Sequence, residues 1–153
     1  MKQIAILSDT HGLLRPQVLA RLEGVDAILH AGDINTQAIV DTLRGCGETH
    51  IVRGNNDKAW AEGLPLSLTV TIEGVRFFLV HNKKDIPRDL SGVDVVVYGH
   101  SHRYDCREAD GVLRLNPGSC GRRRFDQEIT FAMMRLEHGR YQVEKVRIPH
   151  EAP

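Results

Sequence analysis

Three short apolar stretches, residues 3–7, 27–29 and 50–52, are separated by two segments with helical spacing, and no other feature of the chain constrains its fold as much. A strand joined to the next through a helix crosses back over the sheet and runs parallel to its predecessor. In the first interval Pro16 opens a helix that carries Val18, Leu19 and Leu22 on one face and stops at Gly24. In the second, residues 36–43 carry Ala38, Ile39 and Leu43, and Gly45-Cys46-Gly47 ends the helix. Parallel strands delivered this way aim their carboxyl ends at one edge, where ligands gather in such sheets. Those ends read Ser8-Asp9-Thr10-His11-Gly12, His30-Ala31-Gly32-Asp33 and Arg53-Gly54-Asn55-Asn56-Asp57.

From residue 66 the rhythm changes. Residues 66–72 and 75–80 flank Glu73-Gly74, the second of these strands ending at His81; 104–109 and 112–115 flank Asp110-Gly111; 129–136 and 141–148 flank His138-Gly139. Each pair reads as a hairpin, so the second half is expected to be antiparallel. Residues 93–98, Val-Asp-Val-Val-Val-Tyr, form a buried strand that turns sharply at Gly99 and presents His100 and His102 on either side of the small Ser101. Asn116-Pro117-Gly118-Ser119 makes a tight turn. So many strands in 153 residues do not fit one small sheet. The economical architecture is an α/β (α+β) sandwich: two sheets packed face to face with helices outside, in one domain spanning 1–153.

Twenty basic and twenty acidic side chains cancel, and 5% of the chain is aromatic, which disfavours nucleic acid and anionic membranes as partners. The apolar run at residues 4–7 is too short for a signal peptide or a membrane span, and Cys46, Cys106 and Cys120 lack the spacing of a zinc knuckle or redox pair. A cytoplasmic protein with reduced thiols is expected, and a homo-oligomer is compatible with these features.

Five strand ends carry metal-capable side chains: Asp9/His11, Asp33, Asn55, His81 and His100/His102. Singly, Asp9-x-His11 fits a helix cap, Asp33 an N-cap and Asn55 a turn. Five such clusters at the ends of buried strands exceed what capping needs, and seven candidate ligands exceed one tetrahedral site, so two divalent ions are implied. The mixed His/Asp/Asn set suits Mn²⁺, Fe²⁺, Co²⁺, Ni²⁺ or Zn²⁺ better than Mg²⁺ or Ca²⁺, which prefer oxygen shells, with Mn²⁺ the leading candidate. Two such ions against two carboxylates, Asp9 and Asp33, leave about two positive charges for a hydroxide and a phosphate oxygen, the requirement of phosphoester hydrolysis.

Asp9-x-His11, Gly32-Asp33, Gly54-Asn55, His81 and Gly99-His100-Ser101-His102 resemble, in order, the motifs of the calcineurin-like metallophosphoesterases, and the small size with Asn116-Pro117-Gly118-Ser119 is most similar to their compact bacterial and archaeal phosphodiesterase branch. The resemblance implies a four-layer sandwich of two mixed sheets flanked by helices, with the metal site at the strand carboxyl ends. It also implies Asp9, His11, Asp33 and His102 on one metal and Asp33, Asn55, His81 and His100 on the other, with Asp33 bridging. A metal-bridging hydroxide would attack a small phosphodiester, with Asn55 and His100 nearest the reaction. Many members have histidine after the ligand asparagine, where it contacts substrate and protonates the leaving group; here the residue is Asn56, a neutral amide that cannot act as an acid. The acidic partner beyond the bridging aspartate is absent too, since Ile34-Asn35-Thr36-Gln37 follows Asp33. Asn56 and Arg122, the latter in Arg122-Arg123-Arg124, are candidate substrate contacts, His30 a packed or supporting residue, and Trp60 a lid or a core anchor. The resemblance also reaches a retromer scaffold subunit that has lost part of the constellation, which makes a non-catalytic binding module the alternative function.

Overall fold

The computed structural model describes residues 1–122 and 127–149. Arg123 and Arg124 lie outside these. The first half runs β1 (Lys2–Leu7), α1 (Pro16–Leu22), β2 (Ala27–His30), α2 (Gln37–Cys46) and β3 (Glu48–Ile51). It is followed by β4 (Ser67–Ile72), β5 (Val75–Val80), β6 (Val95–Val97), β7 (Tyr104–Ala109), β8 (Val112–Pro117), β9 (Ile129–Glu137) and β10 (Arg140–Ile148), with short 3-10 turns at Ala59–Ala61 and Lys83–Asp85. Two mixed five-stranded sheets result, in the orders β10-β9-β1-β2-β3 and β4-β5-β6-β8-β7.

β1 shows why the sheets stack. Its side chains alternate between faces, Ile4 and Ile6 pointing to one side and Ala5 and Leu7 to the other, and all four are fully buried. Ile4 and Ile6 join Phe77, Leu79, Val95, Val97 and Leu115 of the second sheet in the core between sheets. Ala5 and Leu7 join Val18, Leu22, Ile39 and Leu43 of the two helices. A strand covered on both faces reads as an unbroken apolar run, as this one does. Pro16 occupies the first turn of α1, and Thr36 caps α2, its Oγ1 accepting from the Ile39 N–H at 3.4 Å. Helices thus cover the first sheet. The outer face of the second carries Val80, Val96 and Tyr98 and is covered by Ile86, Leu90 and Val93 of the crossover between β5 and β6 rather than by an α-helix.

β1, β2 and β3 are parallel, as the helical intervals require. The three expected hairpins are present and turn through Glu73-Gly74, Asp110-Gly111 and His138-Gly139, both residues of each pair at positive φ as a type I′ turn demands. The expectation of an antiparallel second half needs correction: β5, β6 and β8 are mutually parallel. Only local pairing is written in a turn. β5 reaches β6 through the crossover just described, and β6 reaches β8 around the edge strand β7. As a result β5 and β6 also send their carboxyl ends, carrying His81 and His100/His102, to the edge where β1, β2 and β3 deliver theirs.

Candidate metal centre

The loops beyond the strand ends continue the sheet's hydrogen bonding before they diverge. The Asp9 N–H donates to Gly32 O at 3.0 Å and the His11 N–H to Asp33 O at 2.9 Å, which locks the first two loops side by side; the Gly99 N–H donates to His81 O at 2.9 Å and does the same in the second sheet. Two glycines let the loops close. A Cβ at Gly54 would collide with the Asp33 carboxylate and backbone, and one at Gly99 with Ser8 and the Asp9 carboxylate. Five of the candidate ligands adopt left-handed backbone: Asp9 (φ 55°), His11 (47°), Asp33 (61°), His100 (75°) and His102 (64°). Such backbone costs on the order of 1 kcal/mol per non-glycine residue and persists only where the surroundings enforce it.

Asp9 is completely buried. Its Oδ2 accepts from the Ser8 hydroxyl at 2.7 Å and the His100 N–H at 3.1 Å, which leaves Oδ1 with no hydrogen bond. Three imidazoles surround that orphaned oxygen: Nε2 of His102 at 3.5 Å, of His11 at 3.6 Å and of His81 at 4.0 Å. The Nε2 atoms of His11 and His102 face one another at 3.2 Å. Asp33 Oδ2 stands between the two groups, 3.6 Å from His11 Nε2 and 3.2 Å from His81 Nε2. The ligand atoms therefore sort into Asp9/His11/His102 and Asp33/His81/His100, all within 4.8 Å of one another in each set. Bonds of about 2.1 Å to a common ion imply ligand-to-ligand edges of about 3.0–3.4 Å in octahedral or tetrahedral geometry, close to the 3.2–3.6 Å found among Asp9, His11 and His102 and to the 3.2 Å between Asp33 and His81. An unpaired buried carboxylate oxygen costs on the order of a few kcal/mol, which a cation would offset.

The imidazoles are held for ligation. His81 Nδ1–H donates to Ala31 O at 2.8 Å, so Nε2 is the ring atom turned toward the two carboxylates and left for a metal. Burial disfavours the charged forms of both Asp33 and His81, but their contact and neighbouring charges outweigh it. The Asp33 carboxyl is held down to about 2, with help from the Asn56 N–H and from His11, and His81 is raised above its usual value by Asp33 and Asp9. His100 and Asn55 are exposed and lie side by side, His100 Nδ1 being 3.2 Å from Asn55 Oδ1.

His30 is wholly buried and supports the site from below. Nδ1 accepts the Gly32 N–H at 3.0 Å, so Nε2–H donates to Thr10 Oγ1 at 3.1 Å and ties the first loop to the second. Burial pushes its pKa down to about 4 against the charges of Asp9, Asp57 and Asp33, and it stays neutral. The asparagine-proline turn acts similarly: Ser119 Oγ donates to Asp9 O at 2.9 Å, and Asn116 Nδ2 donates to Gly99 O at 3.2 Å and to Ser101 Oγ at 3.0 Å. Asn56 grips Asp33, its N–H donating to Oδ1 at 2.8 Å and its side-chain amide to Oδ2 at 3.2 Å. Arg122 Nε donates to His11 O at 3.3 Å, which places this exposed residue at the rim. Trp60 packs against the core beneath the helices, as an anchor would.

Asp57 is the residue that the sequence reading passed over. It is 2% exposed, and its carboxylate accepts four backbone N–H groups: Asp33 and Gly54 on Oδ2, both at 2.9 Å, and Ile34 and Asn35 on Oδ1, at 2.9 and 2.8 Å. One side chain thereby fixes the loop that carries Asp33 against the loop that carries Asn55. Its only signal in the sequence is a polar turn residue closing the third strand's loop.

Residues 1–139 match the calcineurin-like phosphoesterase superfamily domain. A probable metallophosphoesterase from Methanothermobacter thermautotrophicus is 31% identical over 130 residues, covering 76% of each chain. A phosphodiesterase from Methanocaldococcus jannaschii is 30% identical over 140 residues, covering 77% of this chain and 84% of that one. Among solved structures, a mutant of Vps29 from Entamoeba histolytica superposes with a TM-score of 0.77 at 23% identity, over 96% of this chain and 99% of that one.

Proposed function

Because this chain belongs to the calcineurin-like phosphoesterase superfamily, we propose that it is a metal-dependent phosphodiesterase acting on a small phosphodiester. Asp9, His11, Asp33 and His102 would hold one divalent transition-metal ion and Asp33, Asn55, His81 and His100 the other, with Mn²⁺ the leading candidate. The observation that carries this reading is the buried Asp9 Oδ1, which lacks a hydrogen bond and faces three Nε2 atoms, with Asp33 Oδ2 between the two imidazole groups. When bound, such a metal pair supplies an acidified water as nucleophile and positive charge against the phosphoryl oxygens. The chain's own residues do the rest. Asp33, gripped by Asn56 and steadied through Asp57, keeps both halves in register. His81 is fixed as a lone-pair donor by Ala31 O, and the exposed His100 and Asn55 form the face that a substrate meets. Arg122, held at the rim by its bond to His11 O, would meet a phosphate oxygen. A diester's single negative charge suits a site with few cations beyond its metals. The M. jannaschii relative bears the name of a phosphodiesterase, which favours diesters over monoesters. Three free cysteines fit a reducing cytoplasm, and no helix among the described residues is long and apolar enough to cross a membrane.

The experiment is metal analysis of the Mn²⁺-loaded protein combined with assays on bis(4-nitrophenyl) phosphate and 4-nitrophenyl phosphate. About two ions per chain and faster, chelator-sensitive hydrolysis of the diester are expected, with activity lost in His81→Ala and His100→Ala. The likeness to Vps29 favours one rival, a scaffold on the same fold. A fully metallated protein inert toward every ester tried would decide for it.

A further inference from the structure

Two recesses flank the His81–His100 side of the site, and their charges differ. One, of about 420 Å³, lies beyond Asn55 and His81 and has Arg53 and Asp85 in its wall, one cation against one anion. The other, of about 490 Å³, opens from His100 and Gly99 and is walled by Lys83, Lys84, Arg103 and Asp105. Asp105 is engaged elsewhere, accepting from the Tyr98 hydroxyl at 3.0 Å and lying 3.4 Å from Arg107 Nε. Lys83, Lys84 and Arg103 form no ion pair among the described residues. The lysines are held in place by their backbone: the Asn82 side chain accepts the Lys84 N–H at 3.0 Å and caps the 3-10 turn Lys83–Asp85 directly after His81. Three cations against one acid leave a formal surplus of two positive charges in one hollow of a chain whose overall charge is zero.

We propose that this hollow binds a second phosphate on the substrate, so that the preferred substrates are phosphodiesters bearing a further phosphate group. The proposal rests on the phosphodiesterase reading above. A phosphomonoester carries about −1.5 to −2 charges at neutral pH, which matches the surplus, whereas a carboxylate would leave one cation unanswered. Two flexible ammonium groups and a guanidinium suit a tetrahedral dianion approached from several sides. The hollow adjoins His100, so an anion seated there belongs to the same molecule whose diester meets the metals.

The test compares thymidine 5′-(4-nitrophenyl phosphate) bearing either a 3′-hydroxyl or a 3′-phosphate, with the full chain loaded with Mn²⁺. The scissile bond is the same in both, so the ratio of their kcat/KM values reads the second phosphate alone. A roughly tenfold advantage for the 3′-phosphorylated substrate is expected at low ionic strength, shrinking as salt screens exposed charges. The triple variant Lys83→Ala/Lys84→Ala/Arg103→Ala should bring the ratio to about one, and Lys83→Arg/Lys84→Arg should keep it. A wild-type ratio near one, or a ratio that the triple variant leaves unchanged, overturns the proposal while leaving the phosphodiesterase reading intact. If neither substrate is hydrolysed, that reading fails, and calorimetric titration with thymidine 3′,5′-bisphosphate decides for the hollow. Roughly tenfold weaker binding to the triple variant sustains the anion site, and equal affinity overturns it.

Discussion

Asp9, His11 and His102 are at most 9% exposed, whereas His100 and Asn55, on the far side of Asp33, lie open to solvent. The inner set is braced by buried partners at every turn: Ser8 and the His100 N–H on Asp9 Oδ2, Ser119 on the Asp9 carbonyl, and His30 between the loops. In the outer set Asp57, Asn56 and Ala31 O hold Asp33 and His81 and Asn116 braces the His100 loop, while the His100 and Asn55 side chains themselves stand in solvent. The difference teaches a division of labour. A closed set of ligands with an unpaired carboxylate oxygen retains an ion tightly, and an open set admits substrate and exchanges its ion more readily.

Asp33 Oδ2 stands between the two sets and is the ligand proposed to bridge them, so its loss should have the largest effect. Asp33→Asn is expected to lower metal content from about two ions to one or fewer and to cut diester hydrolysis by on the order of 10³-fold, the scale of losing a principal charge-stabilising group. Metal analysis after gel filtration, with kinetics on bis(4-nitrophenyl) phosphate, measures both. Two ions retained in the variant would show that Asp33 does not bridge.

The inner brace predicts a pH dependence. His30 titrates near 6.5 in the unfolded chain and at about 4 when folded, so below pH 6.5 the unfolded state binds the proton first. Stability from this group is complete above pH 6.5 and is lost as pH falls toward 4, by up to about 3 kcal/mol. Urea unfolding in chelator at pH 7.5 and 4.5 should show a steeper acid loss for wild type than for His30→Gln. Equal slopes would mean that His30 is not kept neutral by the fold.

The candidate ligands were legible because each follows an apolar strand, and the parallel first sheet was legible because helical periodicity separates its strands. Two things were not. The direction of β6 and β8 depends on a crossover without helical periodicity, while the hairpin signals at Glu73-Gly74 and Asp110-Gly111 speak only for adjacent strands. The role of Asp57 depends on backbone N–H groups 22 to 24 residues upstream that reach it only once β2 and β3 pair. The left-handed backbone of the ligands left a trace, since aspartate and histidine tolerate that region better than most residues, but composition does not separate this from ordinary loop usage.

Removing one imidazole from each set sharpens the comparison. His102→Ala removes the nearest of the three imidazoles around Asp9 Oδ1 and opens a buried gap, whereas His100→Ala vacates a solvated position that water fills. Each should weaken its own ion by about 10–100-fold, with His102→Ala at the upper end and the tighter of two Mn²⁺ binding steps affected. In His100→Ala only the weaker step should move. Equilibrium Mn²⁺ titration resolves the two steps, and equal losses in the same step from both variants would erase the distinction between inner and outer sets.

The smallest expected effect concerns Asn56, at the open edge. Its amide donates to Asp33 and carries no proton for a leaving group, whereas general-acid assistance contributes typically ~10²–10⁴-fold where the leaving alkoxide is a strong base. Wild type should therefore depend steeply on leaving-group pKa and handle aryl diesters far better than alkyl diesters. Asn56→His would place an imidazole in the gap but surrender the side-chain hydrogen bond to Asp33 Oδ2, and no acidic residue follows Asp33 to charge the ring. The backbone N–H bond to Oδ1 survives the substitution, so the Asp33 carboxylate stays in place. The gain should accordingly be about tenfold, at the bottom of the general-acid range or below it, and confined to alkyl diesters. A series of diesters of graded leaving-group pKa, run on both proteins at matched metal occupancy, measures the two slopes. A shallow slope in wild type would mean that another group at the open edge protonates the leaving oxygen; Arg122 and the rim would then be where to look, and the division between a metal-holding inner set and a substrate-facing outer one would need redrawing.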